Sequence, residues 1–123
     1  MIFVEELLNI LKKNKIFFYT GVPDSVLKNF TQKLDENNKV IHLKAPNEGA
    51  AVSLAIGNYL SSSKIPCVYL QNSGLSNAMN PLISIANSKV YSIPILIIIG
   101  WRGAPSLKDE PQHEVKGKIT ISL

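Results

Sequence analysis

The chain has a single cysteine, Cys67, so an internal disulfide is excluded. Its apolar neighbours read as those of a buried thiol in preference to a catalytic one. Histidine is scarce as well: His42 and His113 stand alone, and no histidine and cysteine grouping has the spacing of a zinc site. Long apolar runs are missing, since the run from Ile93 to Ile99 falls far short of the roughly 18 residues that cross a bilayer. No secretory signal is visible, and a soluble cytoplasmic protein with no membrane association is expected. Acidic residues are few, 9 against 13 lysines and arginines, which leaves a formal charge of +4. The lysines are scattered over helix faces and turns without interleaved aromatics, so a nucleic-acid partner is not expected. The weak positive bias suits a solvated surface or a small anionic ligand equally. Also absent are the glycine spacings of a dinucleotide fingerprint and of a P-loop.

What is present is a pattern of alternating helices and strands. With 123 residues and 46% apolar composition, residues 1–123 form one domain with enough material for a core. Val4, Leu7, Leu8 and Leu11 recur at helical spacing within residues 2–13. Residues 16–19 read as the first strand. Thr20 to Ser25 then turns the chain, with Asp24 or Ser25 a candidate cap for a helix carrying Val26, Leu27, Phe30 and Leu34. Residues 40–43 form the second strand, about 48–60 the third helix and 65–71 the third strand. Residues 75–88 read as a helix kinked or split at Pro81. The uniformly apolar stretch 93–99 reads as a fourth strand buried on both faces. That pattern predicts an α/β fold, an open and predominantly parallel sheet with helices on both faces. Residues 100–113 read as a polar loop, and 117–123 as a resumption without a further clear strand and helix.

Open parallel sheets bind ligands beyond the carboxyl ends of their strands, where the strand order reverses. Four segments converge there: Thr20 to Asp24, Asn47-Glu48-Gly49, Gln71-Asn72-Ser73-Gly74, and Gly100-Trp101-Arg102-Gly103. Glu48 stands at the first turn of a helix rich in small residues, Ala50, Ala51, Ala55 and Gly57, which permit close approach of a ligand or partner and serve core packing equally well. An ordinary first-turn glutamate favoured by the helix field is the competing reading.

Taken with Tyr19 to Ser25, Asn80-Pro81-Leu82 and the run from Lys108 to His113, these segments make the chain resemble the pyrimidine-binding domain of thiamine diphosphate-dependent 2-oxoacid decarboxylases. The resemblance spans residues 19–117 and is nearest to the phosphonopyruvate branch, with the sulfopyruvate enzymes as close relatives. It implies the thiamine diphosphate-binding fold, pyrimidine type, and a reaction converting phosphonopyruvate to phosphonoacetaldehyde and carbon dioxide. Glu48 is then the activating carboxylate on the pyrimidine nitrogen opposite the exocyclic amine. The proton it shares favours the imino form of that amine, and the cofactor supplies the electron sink. Gln71, Asn72 and Ser73 are candidate contacts to the aminopyrimidine, against a turn capped by Asn72 or Ser73. Asp24 divides between helix cap and proton transfer. His113 is a candidate proton relay, against an ordinary surface histidine. Arg102 and Lys108 are candidates for the substrate's anionic groups, against solvated loop charges. His42 reads as structural, and Trp101 as packing for its loop.

Ala50 and Lys116 depart from the family pattern at positions where an asparagine and a glutamine are common. No Gly-Asp-Gly segment followed by an asparagine-bearing magnesium loop is present. The resemblance therefore implies that Mg2+ and the diphosphate are held by another domain or a β subunit, in a homo- or hetero-oligomer, with this chain truncated at its C-terminal end or completed by that subunit. No metal ligands are expected here. The alternatives are the α subunit of a sulfopyruvate decarboxylase, and a noncatalytic interaction or regulatory domain of the same fold.

Overall fold

The computed structural model describes residues 3–123; residue 2, where the first helix is expected to begin, lies outside the described residues. In chain order the elements are α1 (Val4–Lys13), β1 (Phe18–Gly21), α2 (Lys28–Asp35), β2 (Ile41–Lys44), α3 (Glu48–Ser62), β3 (Cys67–Gln71), α4 (Leu75–Pro81), β4 (Leu96–Gly100) and α5 (Pro111–Ile119). Short 3₁₀ turns cover Asn72–Gly74 and Thr120–Ser122, and a π turn covers Leu82–Ala86. The strands form one open sheet of order β2-β1-β3-β4 with every neighbouring pair parallel, as the alternation predicts.

The period-two geometry of a strand explains the layering. In β3, Cys67 and Tyr69 point into a cluster with Leu11, Ile16, Tyr19, Phe30 and Leu34, supplied by α1, α2, β1 and the connection between α1 and β1. Val68 and Leu70 point the other way, against Ala51, Val52, Ala55 and Ile56 of α3 and Ala78 of α4. Successive side chains of a strand face opposite sides, so both faces of this central strand are covered. Ala51 and Ala55 are completely buried and bring α3 close to the sheet, whereas Gly57 faces open space. In α1 the apolar stripe turns inward, with Glu5 and Glu6 in its first turn and Lys12 and Lys13 in its last, where each charge opposes the helix dipole.

Several expectations need correction. Strand pairing in β1 starts at Phe18, because the Ile16 amide is spent on the Leu11 carbonyl at 3.0 Å, closing α1. The fourth strand starts at Leu96, since Pro94 has no amide to offer a ladder. Nor is β4 buried on both faces. It is the edge of the sheet, its first three residues are half-buried, and Ile99 is exposed; the doubly covered strand is β3. Neither Asp24 nor Ser25 caps α2, which begins at Lys28 after Leu27 with no side-chain cap. Residues 111–119, expected as loop and tail, form α5: Pro111 sits at its start, where the missing amide costs nothing, and Lys116 and Lys118 lie in its last turn. At Pro81 the helix from Leu75 does break, into α4 and the π turn.

Candidate cofactor-binding site

The sheet order places its reversal between β1 and β3: the chain leaves β1 for the outer strand β2, then crosses back over β1 to β3. The chain leaves β1 and β3 for opposite faces of the sheet, and their carboxyl ends mark the switch point at which open parallel sheets form a ligand crevice. Glu48 enters from the β2 side. Asn47, in extended conformation, caps α3 by accepting the Ala50 amide at 2.8 Å, and this fixes Glu48 as the first helical residue. Its half-buried carboxylate reaches across to the β3–α4 turn, where Asn77 Nδ2 donates to Oε2 at 3.0 Å. The same carboxylate lies over Gly74, and a Cβ there would collide with Oε1 and Cδ. Glycine at 74 is thus a requirement of close approach. Its φ of −84° is open to any residue.

Asp24 follows β1 on the other side of the crevice. It is buried, and neither carboxylate oxygen has a hydrogen-bond partner among the described residues. Its Oδ2 lies where a Cβ on Gly100 would be, so the end of β4 is shaped around it. A buried acid without donors is costly and demands an explanation that packing does not supply.

Gln71 Nε2 donates to Ser73 Oγ at 2.6 Å, a bond confined to the turn itself. Asn72 is committed inward. Its Nδ2 donates to the Arg102 carbonyl and to Thr120 Oγ1, both at 2.9 Å, while Oδ1 accepts the Arg102 amide at 3.1 Å. Asn72 thereby ties the ends of β3 and β4 to the 3₁₀ turn after α5.

Arg102 presents a fork, and Asp109 fills it: Nε donates to Oδ2 at 2.8 Å and Nη2 to Oδ1 at 2.6 Å. Asp109 also accepts the amides of Gly103 at 2.7 Å and Glu110 at 2.8 Å. These bonds, the one to Arg102 foremost, hold its carboxyl well below the usual carboxylate range. The remaining Arg102 nitrogen, Nη1, donates to Ser25 Oγ at 3.3 Å, bringing the β4–α5 loop against the turn that carries Asp24. His113, on the first turn of α5, is largely covered, with Nε2 3.7 Å from Glu110 Oε2. Lys108 is exposed on the loop. Trp101 Nε1 donates to the Gly117 carbonyl at 3.0 Å, so the indole packs the loop against α5.

The structure brings together Asp24, Ser25, Arg102 and Asp109 on one side, and Glu48, Gly74 and Asn77 on the other, with Asn72 bracing the floor between β3 and β4. Sequence reasoning missed Asn77, Asp109 as the holder of Arg102, and Lys116, whose Nζ donates to the Ser73 carbonyl at 3.2 Å. Asp109 had a local signal, an acid just before Glu110-Pro111 and a short loop away from Arg102; Asn77 had none, because its meeting with Glu48 depends on how α3 and α4 pack.

Two other polar groups lie away from the crevice. His42 bridges Asp35 Oδ1 through Nδ1 at 2.9 Å and the Tyr69 hydroxyl through Nε2 at 2.8 Å, which makes it structural. Cys67 is fully buried and its thiol is pushed up to about 12 by desolvation, so it is no nucleophile.

An acid on the first turn of α3, a buried unpartnered acid opposite it and a crevice at the strand reversal fit the pyrimidine end of thiamine diphosphate. Among the described residues no three His, Cys, Asp or Glu side chains come together.

Comparison with known proteins gives the family and the fold. Residues 1–121 match the family model described as the thiamine pyrophosphate enzyme N-terminal TPP binding domain. The chain is 38% identical over 103 residues to a phosphonopyruvate decarboxylase of Streptomyces hygroscopicus, covering 84% of this chain and 25% of that protein. It is 36% identical over 95 residues to the sulfopyruvate decarboxylase subunit alpha of Methanocaldococcus jannaschii, covering 77% of this chain and 54% of that one. It thus spans a quarter to about half of the length of these relatives. Among solved structures, benzoylformate decarboxylase from Polynucleobacter necessarius superposes with a TM-score of 0.73 at 26% identity, over 92% of this chain and 21% of that one. Sequence, sheet order and crevice converge on one answer: this chain belongs to the thiamine pyrophosphate enzymes, as their N-terminal TPP binding domain.

Proposed function

We propose that this chain supplies the pyrimidine-binding half of a thiamine diphosphate-dependent decarboxylase whose substrate is phosphonopyruvate, yielding phosphonoacetaldehyde and carbon dioxide. The observation that carries the reading is the placement of Glu48, a half-buried carboxylate held at the first turn of α3 on the lip of the crevice. Bound there, the cofactor supplies the electron sink for loss of the carboxylate. Glu48 holds the proton shared with the pyrimidine nitrogen. In the net reaction the bond between the keto carbon and the carboxylate carbon breaks, carbon dioxide leaves, and a proton takes its place. Asp24 and His113 are the groups proposed to hand over that proton, Asp24 because its oxygens are buried and free of partners, and His113 because its ring lies on the neighbouring first turn of α5.

Gln71 and Ser73 are proposed to line the pyrimidine end. Asn72 is proposed to support it from behind, as its amide is spent on the Arg102 backbone and Thr120. Arg102 is proposed to attract the anionic end of the substrate through the charge that Asp109 orients, with Lys108 adding a mobile cation on the exposed loop. The magnesium diphosphate end is assigned to a diphosphate-binding domain or β subunit, in a homo- or hetero-oligomer; the support is the share of its relatives that the chain spans. A second reading, the α subunit of a sulfopyruvate decarboxylase, rests on the 36% identity over 95 residues to such a subunit.

The test is carbon dioxide release from phosphonopyruvate, sulfopyruvate and pyruvate by the completed assembly, beside its Glu48→Gln variant. Glutamine keeps the size and loses the proton. Turnover should fall while thiamine diphosphate binding survives; unchanged turnover removes Glu48 from the reaction, and release from sulfopyruvate alone selects the second reading.

A further inference from the structure

Glu48 does not hold its own position. Its side chain leaves the first turn of α3 and crosses to another segment, where it meets the open face of Gly74 and the side-chain amide of Asn77. Asn77 lies in the first turn of α4, and the backbone beneath it is fixed by the neighbouring packing, since Ala78 is completely buried against the α3 cluster. Gly49, next to Glu48, sits close over the Asn77 carbonyl, where a Cβ would come within 3.1 Å. The two helix starts are therefore locked in register at this point.

Resting on the assignment of Glu48 as the activating acid, we propose that Asn77 is a positioning residue for Glu48. An ionised carboxylate only accepts hydrogen bonds, so the Asn77 group facing Oε2 must be the amide NH₂. By holding Oε2 it leaves Oε1 as the oxygen that meets the pyrimidine nitrogen, and it selects one rotamer of a side chain with three rotatable bonds. It also draws charge from the carboxylate, which sets how far a shared proton lies toward the ring. Asn77 does not touch the reacting atoms; its effect passes through Glu48.

The test uses exchange of the thiazolium C2 proton of bound thiamine diphosphate for deuterium, followed without substrate by proton NMR after acid quench, on the chain in its native assembly. Asn77→Ala should slow exchange about tenfold, the scale of one hydrogen bond to a charged group, with cofactor affinity changed by less than about twofold. Asn77→Asp keeps the size but sets a second carboxylate beside the first, and should slow exchange more than alanine does. The decisive arm is the double variant Asn77→Ala with Glu48→Gln. If Asn77 works through Glu48, its replacement adds no further loss once Glu48 is gone.

An equal loss in both backgrounds overturns the proposal, as does wild-type exchange in Asn77→Ala or Asn77→Asp. Wild-type exchange in Glu48→Gln alone sinks the assignment of Glu48 and the proposal with it, so the two failures are told apart. Should Asn77→Ala fold poorly, the chain by itself still decides: the Asn77 side-chain amide signals should move on Glu48→Gln, and their failure to move refutes the bond.

Discussion

The carboxylate of Glu48 occupies the space that a side chain at Gly74 would fill. Gly74 has an ordinary backbone conformation, so Gly74→Ala leaves the backbone unstrained, and the nearest atoms its Cβ meets all belong to the Glu48 side chain. The variant should unfold within about 1 kcal/mol of wild type, because the neighbour that must give way is a side chain and not backbone. Turnover of the completed enzyme should fall about 10²-fold, the cost of displacing a reacting group by an ångström. Denaturation and steady-state kinetics on one preparation check both halves. A variant with full activity would mean that Glu48 has room to work elsewhere.

Asp24 offers the opposite trade. Its buried oxygens accept no hydrogen bond from the described residues, and what the charge returns to the folded chain is a weak attraction to Arg102, the smallest of the influences on that guanidinium. Asp24→Asn should raise the unfolding free energy by about 1 kcal/mol, since a buried amide is cheaper than a buried acid. Turnover should drop about 10²- to 10⁴-fold, the usual contribution of a positioned proton donor. Lower stability in the variant would reveal an undetected partner and remove the reason for assigning Asp24 to the site.

Asn72 should behave as a brace. Asn72→Ala leaves the Arg102 amide and carbonyl without their partner at a buried position, costing about 1–3 kcal/mol by urea denaturation. Asn72→Asp should cost more, because it sets a carboxylate against the Arg102 carbonyl. Thiamine diphosphate affinity measured below the unfolding transition should stay within about threefold of wild type. A larger loss of affinity at unchanged stability would return Asn72 to direct contact with the cofactor.

Much of this was legible in the chain, for reasons that are local. The parallel sheet was legible because short apolar strands alternate along the chain with segments of helical spacing. The place of Glu48 at a helix start was legible because a run of small residues follows directly on a strand-like segment. Partnerships were not legible. Asn72 and Arg102 are separated by 30 residues and meet only because β3 and β4 pair in register from Cys67 with Leu96 to Gln71 with Gly100. The edge position of β4 was hidden by its composition, since an apolar run looks the same at the centre of a sheet and at its rim. Helix α5 was hidden because Val115 and Ile119 face solvent and Gly117 is the residue that is buried, which leaves no apolar stripe to read.

A pH dependence follows from His42. Desolvation lowers its pKa below the usual value, and this outweighs the raising effect of Asp35. A histidine whose folded pKa lies below its unfolded value, about 6.5, contributes its full share of stability above that pH. As pH falls below it, the unfolded chain takes up the proton first, and that share is lost until the folded pKa is reached. Asp35, lowered first by its hydrogen bond from Lys44, acts in a separate window below the ordinary range for aspartate. The urea midpoint of the wild-type chain should therefore decline between pH 7 and pH 5.5, before any carboxylate of ordinary pKa titrates. The variant His42→Gln should begin less stable, having lost the bridge between Asp35 and the Tyr69 hydroxyl, and should show a flatter profile across that interval. Midpoints at several pH values on both chains decide it. A wild-type midpoint that rises as the solution is acidified would mean that the imidazolium is the form the fold prefers, with the pair to Asp35 outweighing burial.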